Sequence, residues 1–144
     1  MPVELRNESE LPADEARLRR AAQRVLEAEG RPRADLFVLI VGDRRMLELN
    51  RTHLGRDGTT DVIAFALSEA PGPAGVPESL GDVVVSAERA AQQADELGED
   101  RARELTRLVI HGVLHLLGWD DVDPDDRAAM HERTEQLLLE VEPK

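Results

Sequence analysis

Short apolar runs separated by polar segments predict that strands and helices are mixed along the chain. Four runs have strand length and are bounded by glycine, proline or polar residues. They lie at residues 3–6, 36–41, 61–67 and 82–85, and the first has the length of a short edge strand. The segments at 53–59 and 68–79 are polar or rich in proline and glycine, which predicts loops.

Helical periodicity covers most of the remaining chain. Apolar stripes, glycine stops and acidic caps predict helices at residues 12–29, 44–50, 89–97, 100–117 and from Pro124 onward. Ser86 is the predicted N-cap of the third helix and Gly98 its C-cap. Between residues 108 and 117 the fourth helix is apolar nearly all round, so we expect it to be buried.

This order of elements indicates one α+β domain that spans residues 1–144. It predicts a small mixed sheet of about four strands packed with about five helices. A chain of 144 residues, 41% of them apolar, is long enough to bury a core and too apolar to be disordered throughout.

Composition restricts the function. The chain has no cysteine, so disulfides, iron–sulfur clusters and thiolate zinc sites are excluded, and a metal would need His, Asp or Glu ligands. The N-terminal segment lacks an apolar signal core, and no apolar run approaches the roughly 20 residues that span a bilayer. These features predict a cytoplasmic protein without a membrane partner.

The charge distribution is uneven. The net charge of −12 argues against DNA as a partner and against nonspecific nucleic-acid binding by the whole molecule. Residues 1–56 nevertheless carry 11 Arg against 10 acidic residues, whereas residues 57–144 carry 7 basic against 20 acidic residues. Arg17, Arg20 and Arg24 fall on one face of the first predicted helix. They either contact phosphates or pair with the many carboxylates.

The segment that indicates chemistry is HGVLHLLGWDD, residues 111–121. His111 and His115 are four residues apart, so on a helix both imidazoles can reach one ion at about 2.0–2.1 Å. Gly118 can end the helix with positive φ and turn the chain back, which lets Asp121 approach the same ion. Three protein ligands and an open fourth position are typical of a catalytic zinc, which activates water and polarises a carbonyl or phosphoryl oxygen.

The residues alone leave alternatives open. Asp120 competes with Asp121 for the third position, and His131 on the last helix is a fallback ligand. Zinc is the expected ion, although nickel or another divalent metal also suits these ligands. The spacing resembles the extended zinc motif of metzincin proteases, but Gly112 stands where their general base Glu stands, so proteolysis is disfavoured.

The same segment resembles the YbeY-type bacterial endoribonucleases, the rRNA maturation factor family, whose motif reads His-Gly-x-Leu-His-Leu-x-Gly-Tyr-Asp-His. The resemblance covers about residues 36–140. Other matching positions are Leu49 and Asn50, the Thr60-Asp61-Val62 strand start with Phe65, Leu80-Gly81-Asp82-Val83 with Ser86, and Glu104-Leu105.

This resemblance implies a zincin-like α+β fold and metal-dependent, single-strand-specific RNA cleavage. It further implies roles in maturation of the 16S rRNA 3′ end and in ribosome quality control, with rRNA precursors, the small ribosomal subunit and ribosome-assembly proteins as partners. His111 and His115 match two of the family's three metal ligands. Asp121 stands where the third is usually histidine, and a carboxylate there should bind zinc but leave it a weaker Lewis acid.

A second departure concerns the Tyr-Arg pair that the family usually has before the Thr-Asp-Val strand. Here those positions are His53 and Leu54, so Arg56 or Arg51 is the candidate replacement. The candidate catalytic residues are Arg56 and Asp61. Arg56 is either a phosphate clamp or a solvated loop residue. Asp61 either orients the site through its carboxylate or anchors the loop before its strand. Two rival functions remain: an RNA- or ribosome-binding assembly factor with a mainly structural metal, and a hydrolase of another substrate such as a peptide.

Overall fold

The computed structural model describes residues 3–55, 60–66 and 79–142. Within these ranges the predicted α+β class, with four strands and five helices, is confirmed. The elements are β1 (Val3–Asn7), α1 (Glu15–Ala28), β2 (Asp35–Val41), α2 (Asp43–Leu54), β3 (Val62–Ala66), β4 (Ser79–Ser86), α3 (Ala87–Leu97), α4 (Arg101–Leu116) and α5 (Pro124–Val141). None of the described helices is long and apolar enough to cross a bilayer.

The four strands form one mixed sheet in the order β1-β2-β4-β3. Strands β1, β2 and β4 run parallel, whereas β3 pairs antiparallel with β4. The first strand therefore lies at an edge of the sheet, as its length predicted. The continuous apolar runs of β2 and β4 are explained by their inner positions, because strands covered on both faces bury successive side chains.

Alternate residues of the inner strands enter two apolar clusters, one on each face of the sheet. The larger cluster includes Val38, Ile40 and Val83 together with apolar side chains of α1, α3, α4 and α5. The smaller cluster joins Val84 to Met46 of α2. Helix α4 contacts α1, α3 and α5 as well as β3 and β4, so it occupies the centre of the larger layer.

Close contact between α4 and the sheet depends on Gly112. A Cβ atom built at this position would lie 2.4 Å from Cγ1 of Val83 and 3.0 Å from Cγ2 of Val62. Carbon atoms do not approach to 2.4 Å in packed proteins, so any other residue would push the helix away from β3 and β4. The glycine thus faces the sheet and allows the neighbouring histidines to emerge on other sides of the helix.

One predicted helix boundary is wrong, and the arginines of α1 differ in exposure. Helix α2 extends to Leu54 instead of ending near Asn50, so His53 lies in its last turn and not in a loop. The first strong helix breaker after Asn50 is Gly55, which is where the helix ends. Of the three arginines on one face of α1, Arg17 is only 6% exposed because it borders the buried stripe. Arg24 pairs with Glu140 at 3.2 Å, which is the carboxylate pairing expected as one alternative.

Other local predictions are confirmed. The Ser86 hydroxyl accepts a hydrogen bond from the N–H of Arg89 at 3.1 Å, which makes it the N-cap of α3, and Gly98 is the C-cap. Pro124 is the first residue of α5 behind the cap Asp123. The predicted loops at 56–59 and 68–78 lie outside the described residues, and Ser79 begins β4.

Candidate metal centre and its pocket

The two histidines of the HGVLHLLGWDD segment project from one face of α4. Their ring centroids lie 5.9 Å apart and the ring planes differ by 28°, which is the stacked arrangement that a four-residue spacing predicts. The side chain of His111 is 30% exposed, and His115 is exposed near the end of the helix. The buried helix therefore presents both imidazoles at its accessible side.

A tight turn ends α4 and returns the chain toward His111. Gly118 has φ +104°, its N–H donates to the carbonyl of His115 at 3.1 Å, and the Trp119 N–H donates to that of Leu114 at 3.0 Å. Only glycine adopts this φ without strain, so the predicted role of Gly118 is confirmed. Three residues later, Oδ2 of Asp121 lies 3.8 Å from Nε2 of His111.

The neighbouring aspartate has a different role. Asp120 is exposed, and its Oδ1 accepts a hydrogen bond from the N–H of Val122 at 3.0 Å, which stabilises the loop. Asp121 is the half-buried member of the pair and the one beside His111. The geometry therefore favours Asp121 over Asp120 as the third donor.

The atom types of these donors suit a zinc-like ion, and the donors lie on the same side of α4. Two ligands bound tetrahedrally at about 2.1 Å from one ion lie about 3.4 Å apart, close to the separation between His111 and Asp121. As the side chains stand, no group of three or more His, Asp or Glu within the described ranges converges tightly enough to hold an ion. Completing the ligand set therefore requires side-chain movement at this site.

The protonation of both imidazoles suits metal binding. Burial lowers the pKa of His111 below its usual range, against the opposing effect of the Asp121 carboxylate, so the ring is neutral at pH 7. Nδ1 of His115 lies 2.8 Å from the carbonyl oxygen of Trp119, so it carries the proton and donates. In a neutral ring this hydrogen bond leaves the Nε2 lone pair available, as metal binding requires.

A pocket of about 260 Å³ opens beside His111 and Asp121. Asp61, at the start of β3, lines it, and Oδ2 of Asp61 accepts a hydrogen bond from Nε2 of Gln93 at 3.2 Å. The structure thus brings Asp61 to the candidate centre, as its predicted orienting role requires. Arg56 lies outside the described residues.

Two arginines line the pocket, and their surroundings differ. Arg107 is 15% exposed and contacts three carboxylates, those of Glu99, Glu104 and Glu135. Burial by itself would lower the pKa of Arg107, but the hydrogen bonds with these carboxylates raise it above its ordinary value. Arg127 is exposed, and within the described part of the chain it donates to the backbone carbonyls of Asp121 and Val122.

Other candidate residues lie elsewhere or act locally. His53 packs edge-on against the ring of Phe65, with centroids 5.5 Å apart. The Ser86 hydroxyl is buried and donates to Asp43 at 2.9 Å, so it has a structural role. His131 is exposed on α5, as predicted, and it lines the same pocket as His111. Two larger pockets, of about 500 and 840 Å³, contain no histidine.

Sequence reasoning missed Gln93, Arg107 and Arg127. Gln93 and Arg107 belong to α3 and α4, and Arg127 to α5, so only the tertiary arrangement brings them to one pocket. The sequence around an arginine does not identify which of many acidic residues will pair with it. Glu29 was also missed, although its Oε1 accepts a hydrogen bond from the indole N–H of Trp119 at 2.5 Å.

Comparison with known proteins finds one family over nearly the whole chain. The sequence model of the family described as Endoribonuclease YbeY matches residues 4–142. A Thermobifida fusca protein named Endoribonuclease YbeY is 40% identical over 143 residues, covering 96% of this chain and 92% of the relative. A Pelotomaculum thermopropionicum protein of the same name is 42% identical over 145 residues, covering 96% and 95%.

A solved structure shares the fold. The solution structure of a Thermotoga maritima protein superimposes with a TM-score of 0.68 at 25% sequence identity. The match covers 96% of this chain and 88% of the other.

Proposed function

Because this chain belongs to the Endoribonuclease YbeY family, we propose that it is a metal-dependent endoribonuclease that cleaves single-stranded segments of rRNA precursors. The observation that supports the proposal most is the placement of His111, His115 and Asp121 beside a pocket that holds an exposed arginine. The proposed setting is the cytoplasm, with the 3′ end of 16S rRNA on the small ribosomal subunit as substrate and ribosome quality control as the wider role.

The metal proposal is supported by donor chemistry. His111 offers a neutral imidazole, His115 offers the ring nitrogen that does not bond to Trp119, and Asp121 adds a carboxylate from the loop after the turn. A bound zinc or similar divalent ion would supply Lewis acidity toward a phosphoryl oxygen and toward the attacking water. Because one donor is an anionic carboxylate, we expect that Lewis acidity to be weaker than with a third neutral histidine.

Arg127 is the residue best placed to bind the scissile region of RNA. Its guanidinium is exposed at the pocket, and no carboxylate of the described residues forms an ion pair with it. Arg107, by contrast, is already neutralised by three carboxylates. Arg127 therefore gives this acidic molecule a local positive charge for a substrate phosphate, which the overall net charge does not provide.

Asp61 is the carboxylate proposed to handle a proton. Gln93 holds its Oδ2 and the N–H of Ser86 donates to its backbone carbonyl at 2.9 Å, so the side chain has a fixed position at the pocket. A carboxylate held in this way can orient a water and accept its proton as the phosphodiester is attacked.

A peptide substrate is disfavoured by the packing of α4. The position after the first histidine, which carries the general base in zinc peptidases, faces Val83 and Val62 with no room for a side chain. A glutamate therefore cannot act from this position, and the site lacks the base that peptide hydrolysis uses there.

The proposal is tested by cleavage of end-labelled single-stranded RNA and of the same sequence as a duplex. Wild type should cut the single strand, and His111→Ala, His115→Ala or a chelator should abolish cutting while circular dichroism stays native. His53→Ala is the matched control, because this histidine lies on α2 away from the pocket. Metal-loaded wild type that binds small subunits but does not cut single-stranded RNA would instead favour the assembly-factor function.

A further inference from the structure

Four residues form a continuous series of contacts that ends at His115, through side chains except at the last contact, which uses the backbone carbonyl of Trp119. Nη2 of Arg133 donates to Oε2 of Glu29 at 3.0 Å, and the indole N–H of Trp119 donates to Oε1 of Glu29 at 2.5 Å. The carbonyl oxygen of Trp119 accepts from Nδ1 of His115 at 2.8 Å. We call this series, Arg133–Glu29–Trp119–His115, the Glu29 relay.

The relay is placed to act on the imidazole and not only to join helices. Glu29 follows α1 and its side chain is 17% exposed, so its two hydrogen bonds are partly shielded from water. Trp119 belongs to the turn after Gly118, and its ring packs against the main apolar cluster. Fixing the indole therefore fixes the peptide whose carbonyl oxygen faces His115.

We propose that Glu29 is a positioning residue for His115. By anchoring Trp119, it holds the carbonyl that accepts the Nδ1 proton and keeps the imidazole as the Nδ1–H tautomer, with the Nε2 lone pair free for a ligand. The identity of that ligand rests on the proposed function, whereas the tautomer is a property of the metal-free chain.

A purely structural role makes a different prediction. If Glu29 only ties α1 to α5 through Arg133, its loss would lower stability without altering the tautomer of His115. The two roles are separable because Gln at position 29 keeps an oxygen acceptor for the indole N–H but loses the charge that pairs with Arg133.

The test uses uniformly ¹⁵N-labelled, metal-free protein in long-range proton–nitrogen spectra, recorded at a pH where both imidazoles are neutral. Wild type should show His115 as the Nδ1–H tautomer. Glu29→Ala should give a tautomer mixture at His115 and shift the emission of the sole tryptophan. Glu29→Gln should retain the wild-type tautomer. Glu27→Ala, an exposed glutamate one half-turn away, is the matched control and should match wild type.

A second measurement is zinc affinity by chelator competition. Loss of an outer-shell partner typically weakens metal binding by about 10–100-fold. Glu29→Ala loosens that partner without removing it, so zinc affinity should fall by about 10-fold, and by less in Glu29→Gln. An unchanged His115 tautomer in Glu29→Ala, with Trp119 emission shifted, would overturn the proposal. A wild type that binds no zinc would refute the proposed function, while the tautomer spectra would still decide the role of Glu29.

If Glu29→Ala does not fold, Trp119→Phe supplies the same test. It removes the indole N–H donor and leaves the pair between Glu29 and Arg133 intact. Loss of the Nδ1–H preference at His115 in this variant supports the relay, and its full retention contradicts it.

Discussion

Nε2 of His111 and Oδ2 of Asp121 lie 3.8 Å apart, although the first belongs to α4 and the second to the loop after its end. The turn at Gly118 makes this proximity possible, because its positive φ reverses the chain directly after the helix. The distance between the two atoms is close to that expected for neighbouring ligands of one ion. Asp120 instead accepts a hydrogen bond from the N–H of Val122.

The first prediction concerns this pair. Asp121→Ala should weaken zinc binding by more than about 100-fold, since loss of outer-shell partners alone costs about 10–100-fold. Asp120→Ala should leave metal content per chain at the wild-type value, because Asp120 serves the loop. Metal analysis after purification without chelators checks both variants, and equal losses in the two would show that the assignment of Asp121 is wrong.

Substrate binding should depend on Arg127. Arg127→Gln should raise KM for single-stranded RNA, and the slope of log affinity against log salt should become shallower by about 0.7, as expected for one lost phosphate contact. Arg45→Gln, an exposed arginine of α2 paired with Glu48, is the matched control. Fluorescence anisotropy at several salt concentrations gives the slopes, and parallel slopes for Arg127→Gln and wild type would refute a phosphate contact.

Gly112→Ala should destabilise the fold by about 1–3 kcal/mol, because the added methyl overpacks the contact with Val83. Urea denaturation measures this change. The variant Val83→Ala restores space, so the double variant should be more stable than the sum of the two single effects predicts. Strict additivity would mean that the helix does not press on Val83.

Stability should fall in acid partly through Glu99. The hydrogen bond from Arg107 lowers the pKa of Glu99 below its ordinary 4.5 in the folded chain, so the unfolded chain binds more protons in that range. This contribution is present above pH 4.5 and is lost as the pH falls through the lower, folded-state pKa. Glu99→Gln should therefore reduce the dependence of the unfolding midpoint on pH in the acid range. At pH 7 its stability should differ from wild type only by the loss of the ion pair with Arg107. A pH profile identical to that of wild type would contradict this prediction.

Signals within a few residues sufficed to predict most helices and strands and the two histidine ligands. The caps Ser86 and Asp123 and the turn at Gly118 each act within a few residues of the position that they define, so the printed sequence contains both partners. The helix spacing likewise fixed the relation between His111 and His115. Helix α2 was underestimated because residues 51–53 are polar and Leu54 is exposed, so no apolar stripe continues, yet no breaker occurs before Gly55.

Contacts between distant segments could not be predicted. Trp119 and Glu29 are 90 residues apart, and Asp61 and Gln93 are 32 apart, so no periodicity relates them. Arg17 lies at the border between the buried and exposed sides of α1. Sequence periodicity does not determine to which side such a border residue belongs. The ion pairs of Arg107 could not be predicted either, because each of the three glutamates is equally compatible with a solvated surface position.

The central position of α4 has a consequence for synthesis of the chain. This helix packs on α1, which precedes it by many residues, and on α5, which follows it. While a ribosome is still translating α5, the buried side of α4 lacks Met130 and Leu137, and Arg107 lacks Glu135. The nascent polypeptide therefore exposes this apolar side of α4 until Met130 and Leu137 have been synthesised and have packed against it.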